Sequence, residues 1–165
     1  VTKLHCVKRA RKAYPKQGIK KGDQYWWWKF RVGSRSSGKI RSATKPRPSR
    51  LTRSEFHSAI LAAQEAVNDA VGAGGDKLVA ALEDAKSTVE SLGEECRERY
   101  DGMSERFPNG CPTMELLEQR AEACKWIICG INAAIGDIGN VGSHDDPTET
   151  YDAATAVAGI SWGVE

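Results

Sequence analysis

No apolar run in these 165 residues approaches the ~18 needed to cross a bilayer, so a helical membrane span is not expected. Charges stand near the N-terminus with no apolar stretch behind them, so no secretory leader is expected either. Cysteine is scarce and badly placed for a scaffold. Five thiols, an odd number, lie far apart with no Cys-x-x-Cys pair, which points to a reducing cytosol rather than a disulfide-knit secreted domain. Also missing are a phosphate loop, a paired acidic metal site and a Ser/His/Asp or Cys/His set, so an enzyme is the least expected class.

The most telling shortage is of acids at one end. Residues 1–53 hold 17 of the 24 Lys+Arg and a single acid, Asp23, a net of +16. Residues 54–165 hold the remaining 7 bases and 21 acids, a net of −14. The overall +2 hides two nearly opposite objects, a basic module suited to a polyanion and an acidic module with another task.

Aromatics are also few, 7% of the chain, yet Trp26, Trp27, Trp28 and Phe30 crowd into one run. Gln24–Val32 is the strongest strand signal in the chain. Side chains alternate along a strand. Trp26, Trp28, Phe30 and Val32 then form a small core face, and Tyr25, Trp27, Lys29 and Arg31 form the other. Rings interleaved with cations are the chemistry that single-stranded nucleic acid uses, bases on rings and cations on phosphates. The plainer reading, in which Trp27 covers a neighbouring strand and the cations are solvated, stands beside it. Residues 2–7 alternate weakly and suggest a further strand. Gly33–Gly38 reads as a hairpin tip, Lys39–Thr44 as the return strand, and Lys45–Arg50 as an extended Pro-x-Pro linker.

The order KKGDQYWWWKFR, a Gly/Ser tip and PRPSRLTRSEF resembles a group of small, mostly uncharacterised phage proteins. The resemblance covers mainly residues 15–57. It implies a zinc-ribbon-like knuckle followed by a helical region, and a phage origin, but no activity. The chain departs from the metal pattern. A zinc ribbon needs four ligands, commonly two Cys-x-x-Cys pairs, and the head offers only His5 and Cys6. No metal or other cofactor is therefore expected.

Beyond the linker the period changes to that of helices. Thr52 and Glu55 read as a capping box for a first helix with the stripe Phe56, Ile60, Ala63, Val67, Ala70. Gly72, Gly74 and Gly75 end it. Asp76 caps a second helix with the stripe Leu78, Leu82, Ala85, Val89, Leu92, Cys96, Arg99, Met103, and Gly93 weakens it locally. Pro108-Asn109-Gly110 is a turn. Thr113 caps a third helix with the stripe Met114, Leu117, Ala121, Cys124, Ile128, Ile131, Ile135, Ile138, whose 3-4 spacing argues for coiled-coil packing. Facing residues of an antiparallel pair share an index sum. A sum of 220 sets Cys96 against Cys124 and Leu92 against Ile128, and leaves only Arg99 opposite Ala121 as an apolar mismatch. A sum of 148–149 joins the first two helices. Cys96 and Cys124 are thus a candidate thiol pair, read either as a redox switch or as two reduced thiols acting as small hydrophobes. The acids Glu83, Asp84, Glu90, Glu94, Glu95, Glu98, Glu115, Glu118 and Glu122 lie off the stripes, as a solvated face or as a nucleic-acid-like surface. In the tail, His144 sits in a loop, Asp146-Pro147 starts a short helix to about Ala158, and Ile160 and Trp162 form an apolar hook.

The expected fold is α+β: a small N-terminal β-rich basic head (1–50), an antiparallel three-helix coiled-coil-like bundle (51–139) and a tail with a short helix (140–165). The expected function is non-enzymatic binding of nucleic acid or a nucleoprotein complex in the host cytoplasm. Lys8, Arg9, Arg11, Lys12, Lys20, Lys21, Lys29, Arg31, Arg35, Lys39 and Arg41 would meet phosphates, and Tyr25 and Trp27 would stack. Two alternatives stay open: an anti-defence inhibitor of a host nuclease complex, and a virion or assembly component that forms homo-oligomers.

Overall fold

Tyr25–Trp28 is four consecutive aromatic residues, and it forms the central strand, β2, of a three-stranded antiparallel sheet. The computed structural model describes residues 2–32, 35–73, 75–141 and 153–163, and the side chains of residues 32, 35, 36, 140, 141 and 153 are not among those described. The Gly33-Ser34 part of the tip, the Arg35 side chain, Gly74, His144 and the Asp146-Pro147 helix start therefore lie outside the described residues. The fold is α+β, a small sheet followed by helices.

Strand β1, His5–Val7, pairs with β2 in the register His5↔Trp27, Cys6↔Trp26 and Val7↔Tyr25. On the other side β5, Ile40–Ser42, pairs as Trp26↔Ser42, Trp27↔Arg41 and Trp28↔Ile40. The strand expected through Val32 stops at Trp28. Phe30 N–H donates to Ser37 Oγ (2.8 Å), and Ser37 N–H donates to the Phe30 carbonyl (2.8 Å). That exchange closes a separate two-stranded ribbon of β3, Arg31–Val32, and β4, Arg35–Ser36.

Residues 8–24 form a folded loop that backbone bonds hold to itself. Ala10 N–H donates to the Asp23 carbonyl (2.8 Å), and Gly22 N–H to the Ala10 carbonyl (2.9 Å). Tyr14 and Ile19 form a bridge around a 3-10 turn, Pro15–Gln17, which closes at Gly18 with φ +66°. Asp23, the one acid of the basic segment, accepts Lys20 N–H at Oδ2 (2.8 Å) and so fixes a turn. Buried Ala10, Ile19 and Trp28 are the main apolar residues of this small core.

The linker is not simply extended. Pro46 is buried, and Pro48–Leu51 forms a 3-10 turn, because the fixed φ of proline suits the first position of a helical turn. Ser58 Oγ donates to the Ser49 carbonyl (2.8 Å). The cap of α1, Glu55–Ala70, is Ser54 rather than Thr52. Ser54 Oγ accepts His57 N–H (3.3 Å), while the Thr52 hydroxyl accepts Ser54 N–H one step earlier (3.3 Å).

Two 30-residue helices follow, α2 Gly75–Ser104 and α3 Pro112–Val141. They pack antiparallel about a turn in which Arg106 and Phe107 N–H both meet the Met103 carbonyl. Gly110, φ +75°, closes that turn onto Phe107. Pro112 occupies the first position of α3, and the Cys111 carbonyl accepts Met114 N–H (2.9 Å), so the cap is Cys111 and not Thr113.

The seam differs in detail from the 3-4 reading. Gly93 packs against Cys124 so closely that an added Cβ would lie 3.2 Å from Cys124 Cβ. Gly93 is therefore the point where the helices approach, and Leu92 is only half-buried. On α3, Ile127 and Ala134 are buried, whereas Ile128, Ile135 and Ile138 are half-buried. The buried line of α3 takes two steps of three, Ala121 to Cys124 to Ile127, at the place where Cys124 packs against Gly93. Arg99 leaves the seam, exposed and paired with Glu95.

The stripe of α1 is buried at Phe56, Ile60, Ala63 and Val67. Helix α4, Ala153–Ala158, packs on α3, and the hook after it is buried at Ile160 and Trp162. A side chain at Gly130 would stand 3.4 Å from Ile160 Cγ2. The chain divides into two compact units, Val1–Ser58 and Ala59–Glu165. Among the described residues no helix is long and apolar enough to cross a membrane.

Candidate nucleic-acid interface

Pairing in the sheet decides which side chains share a face. Because His5 and Arg41 both stand opposite Trp27, and Val7 opposite Tyr25, one face carries His5, Val7, Tyr25, Trp27 and Arg41. The other carries Cys6, Trp26, Trp28, Ile40 and Ser42. On that second face Trp28 is buried, Trp26 and Ser42 are half-buried, and Cys6 and Ile40 are exposed.

The first face is a group of rings and cations in contact. His5 stacks on Trp27 with centroids 4.1 Å apart and planes 6° from parallel. From the β5 side, Lys39 Nζ lies 4.4 Å from the Trp27 ring. Beside them Tyr14 tilts against Tyr25 (5.6 Å), and the Arg41 guanidinium lies 4.4 Å over the Tyr14 ring. Arg41 Nη1 donates to the Lys39 carbonyl (3.4 Å), which links the two groups. Burial first, then a hydrogen bond with Tyr14, pushes the Tyr25 phenol above its ordinary value, and Arg41 pulls against that shift. Tyr25 therefore stays neutral at physiological pH, an apolar ring with a hydroxyl rather than a repelling anion.

Trp27 is thus not a bare platform. It is half-buried and in contact with His5 of β1 and with Lys39, the residue before β5. Sequence reasoning missed the parts of His5 and Tyr14. His5 was legible once β1 was set in register with β2. Tyr14 comes from a loop whose path the sequence does not encode locally.

Lys8, Arg9, Arg11, Lys12, Lys20, Lys21, Lys29, Arg31 and Lys39 are exposed, and Arg41 is half-buried. Of these described residues, Lys39 and Arg41 are joined to the rings. Lys8–Lys12 follows β1, Lys20 and Lys21 sit in the Asp23 turn, and Lys29 and Arg31 lie at the start of the small ribbon. His5 and Cys6, adjacent on a strand, face opposite ways, so one ion does not engage both. Cys6 instead accepts Gln24 Nε2 (3.3 Å).

Cys96 and Cys124 are buried and free. Burial pushes the Cys96 thiol up, and burial with neighbouring Cys96 pushes Cys124 up to about 11. Both are therefore thiols near neutrality, and it is the thiolate that exchanges or binds metal. On the same unit the acids Glu83, Asp84, Glu90, Glu94, Glu95, Glu98, Glu115, Glu118 and Glu122 are exposed. At ~100° per residue, Asp76, Glu83, Glu90, Glu94, Glu98 and Asp101 fall within roughly 80° of arc on α2, with no Lys or Arg between them. Trp126 on α3 is 68% exposed, a large surface ring that the periodicity did not flag. Compared with known protein families, curated proteins and solved structures, the chain matches none.

Proposed function

We propose that this protein binds nucleic acid, or a nucleoprotein complex, through the ring-and-cation face of its basic unit, without catalysis. The observation that carries the reading is the contact of Lys39 with Trp27 and of Arg41 with Tyr14 on one sheet face. A segment with a net of +16 supplies the field that draws in a polyanion, and the rings give it somewhere to settle. The resemblance of residues 15–57 to small phage proteins supports a setting in the cytoplasm of an infected cell. In the same reading α1 joins α2 and α3 in a three-helix coiled-coil-like bundle, supported by its buried stripe. Phosphate contacts release counterions, so affinity for an oligonucleotide falls steeply between about 50 and 200 mM salt. A flat dependence over that range overturns the reading.

The acidic arc of α2 favours a second reading, an anti-defence inhibitor whose acids occupy a basic groove on a host nuclease complex. It predicts that a host protein stays bound to the tagged chain in lysate after nuclease treatment. Loss of every partner on that treatment counts against it.

A further inference from the structure

We propose that the ring-and-cation face takes unpaired nucleobases, with Lys39 as the displaceable cover of Trp27 and Tyr14–Tyr25 as the second platform. The proposal rests on the nucleic-acid reading above and narrows its ligand to single strands. It differs from simple charge attraction because the bases, and not only the phosphates, are bound.

Trp27 is pre-set for this. The near-parallel imidazole of His5, locked opposite it by the β1–β2 register, holds the indole plane from one flank. The contact from the other flank is of a different kind. Lys39 is exposed, and its ammonium sits over the ring on a long flexible stem. An exposed cation–π contact is worth about 0.5–1 kcal/mol, and a base stacked on an aromatic side chain about 1–3 kcal/mol. A base therefore displaces the lysine, and the freed ammonium turns to the adjoining phosphate.

Arg41 repeats the arrangement over Tyr14. Its Nε is buried without a hydrogen-bond partner, a donor that a phosphate oxygen satisfies once the guanidinium lifts from the ring. Arg41 also donates to the Lys39 backbone carbonyl, so the two cations stand side by side while each side chain moves independently.

The strand sets the spacing. Tyr25 and Trp27 are two residues apart on β2, about 6.6 Å at ~3.3 Å per residue. Neighbouring nucleotides of one duplex strand are ~3.4 Å apart along the axis. That is about two base steps, so each ring has room for one base whose face is not covered by the next, and a paired duplex, with every base face stacked, offers none. DNA and RNA single strands share this chemistry.

The test uses the full chain at about 50 mM salt and four labelled probes of equal length. These are an oligothymidylate, an oligouridylate, an abasic DNA strand with the same phosphates, and a DNA duplex. At least one base-bearing single strand is expected to bind tenfold or more tighter than the abasic strand and the duplex. W27L is expected to weaken that strand about 5- to 150-fold while leaving the abasic strand within about twofold. W27F, which keeps a ring, is expected to retain most of the binding. K39Q is expected to lower the salt slope but keep the preference for bases over abasic sites. Abasic and base-bearing strands binding alike, or W27L and W27F behaving alike, overturns the proposal while the nucleic-acid reading stands. No binding to any probe overturns both.

Discussion

Each of the two units of this chain has its own kind of internal contact. Residues Val1–Ser58 hang on short strands, backbone-bonded loops and ring contacts, with few fully buried aliphatic side chains. Residues Ala59–Glu165 bury a long periodic line that includes Ile60, Val67, Leu78, Leu82, Val89, Ile127 and Ile131. The helical unit follows its sequence period over many turns, so its stability is spread out. In the basic unit a few residues carry both the fold and the candidate site. Trp28 supports the sheet from one face while Trp27, its neighbour, serves the other. Mutual repulsion of the many cations opposes folding of that unit, and a bound polyanion relieves it.

The largest effect that sharpens this contrast is expected from Trp28→Ala, about 3–5 kcal/mol. Ring signals from the sheet should be lost in near-ultraviolet circular dichroism while the helical signal persists. A head that keeps its signals would show that its core does not depend on Trp28. Ile131→Ala should cost about 2–5 kcal/mol in urea unfolding followed by the helical signal. The spread of contacts along the seam should leave that unit folded at 25 °C, and complete loss of helix would break the contrast.

Next in size is a pH effect confined to the helical unit. The Cys124 thiol is raised from 9.0 to about 11 in the folded chain, and Cys96 is raised too. A raised pKa means the folded state holds its proton more tightly than the unfolded chain. The stability this represents is complete below pH 9 and is lost as pH rises toward 11, roughly 2–3 kcal/mol for Cys124. Chemical unfolding at pH 8 and pH 10.5 checks it, and Cys124→Ala should flatten most of the slope. Equal stability at both pH values would rule this linkage out.

The smallest effect is expected at Trp126→Ala, within about 0.5 kcal/mol, because the ring is largely in water. A loss above about 1 kcal/mol by urea unfolding would mean that the ring supports the helical unit.

Much of the helical unit could be read in advance, since a stripe, a glycine stop and a Pro-Asn-Gly turn are local signals. Its errors, and the one at the start of α1, were also local. Ser54 and Cys111 took the caps because backbone geometry chose among adjacent candidates. Ile127 is buried in place of Ile128, three residues after the cysteine that packs on α2. Gly93, read as a weak point, is where Cys124 comes closest. In the basic unit the alternation of Trp27 and Trp28 was legible. The stop at Trp28 was not, because it depends on the exchange between Phe30 and Ser37.

The sequence by itself determined the +16/−14 division, the β character of the Trp run, the helical periods and the turn between the long helices, because each is written in neighbouring residues. Only the tertiary structure decided that His5, Tyr14, Lys39 and Arg41 would gather around Trp27 and Tyr25. That gathering depends on strand order and on the path of a loop, and no local pattern encodes either.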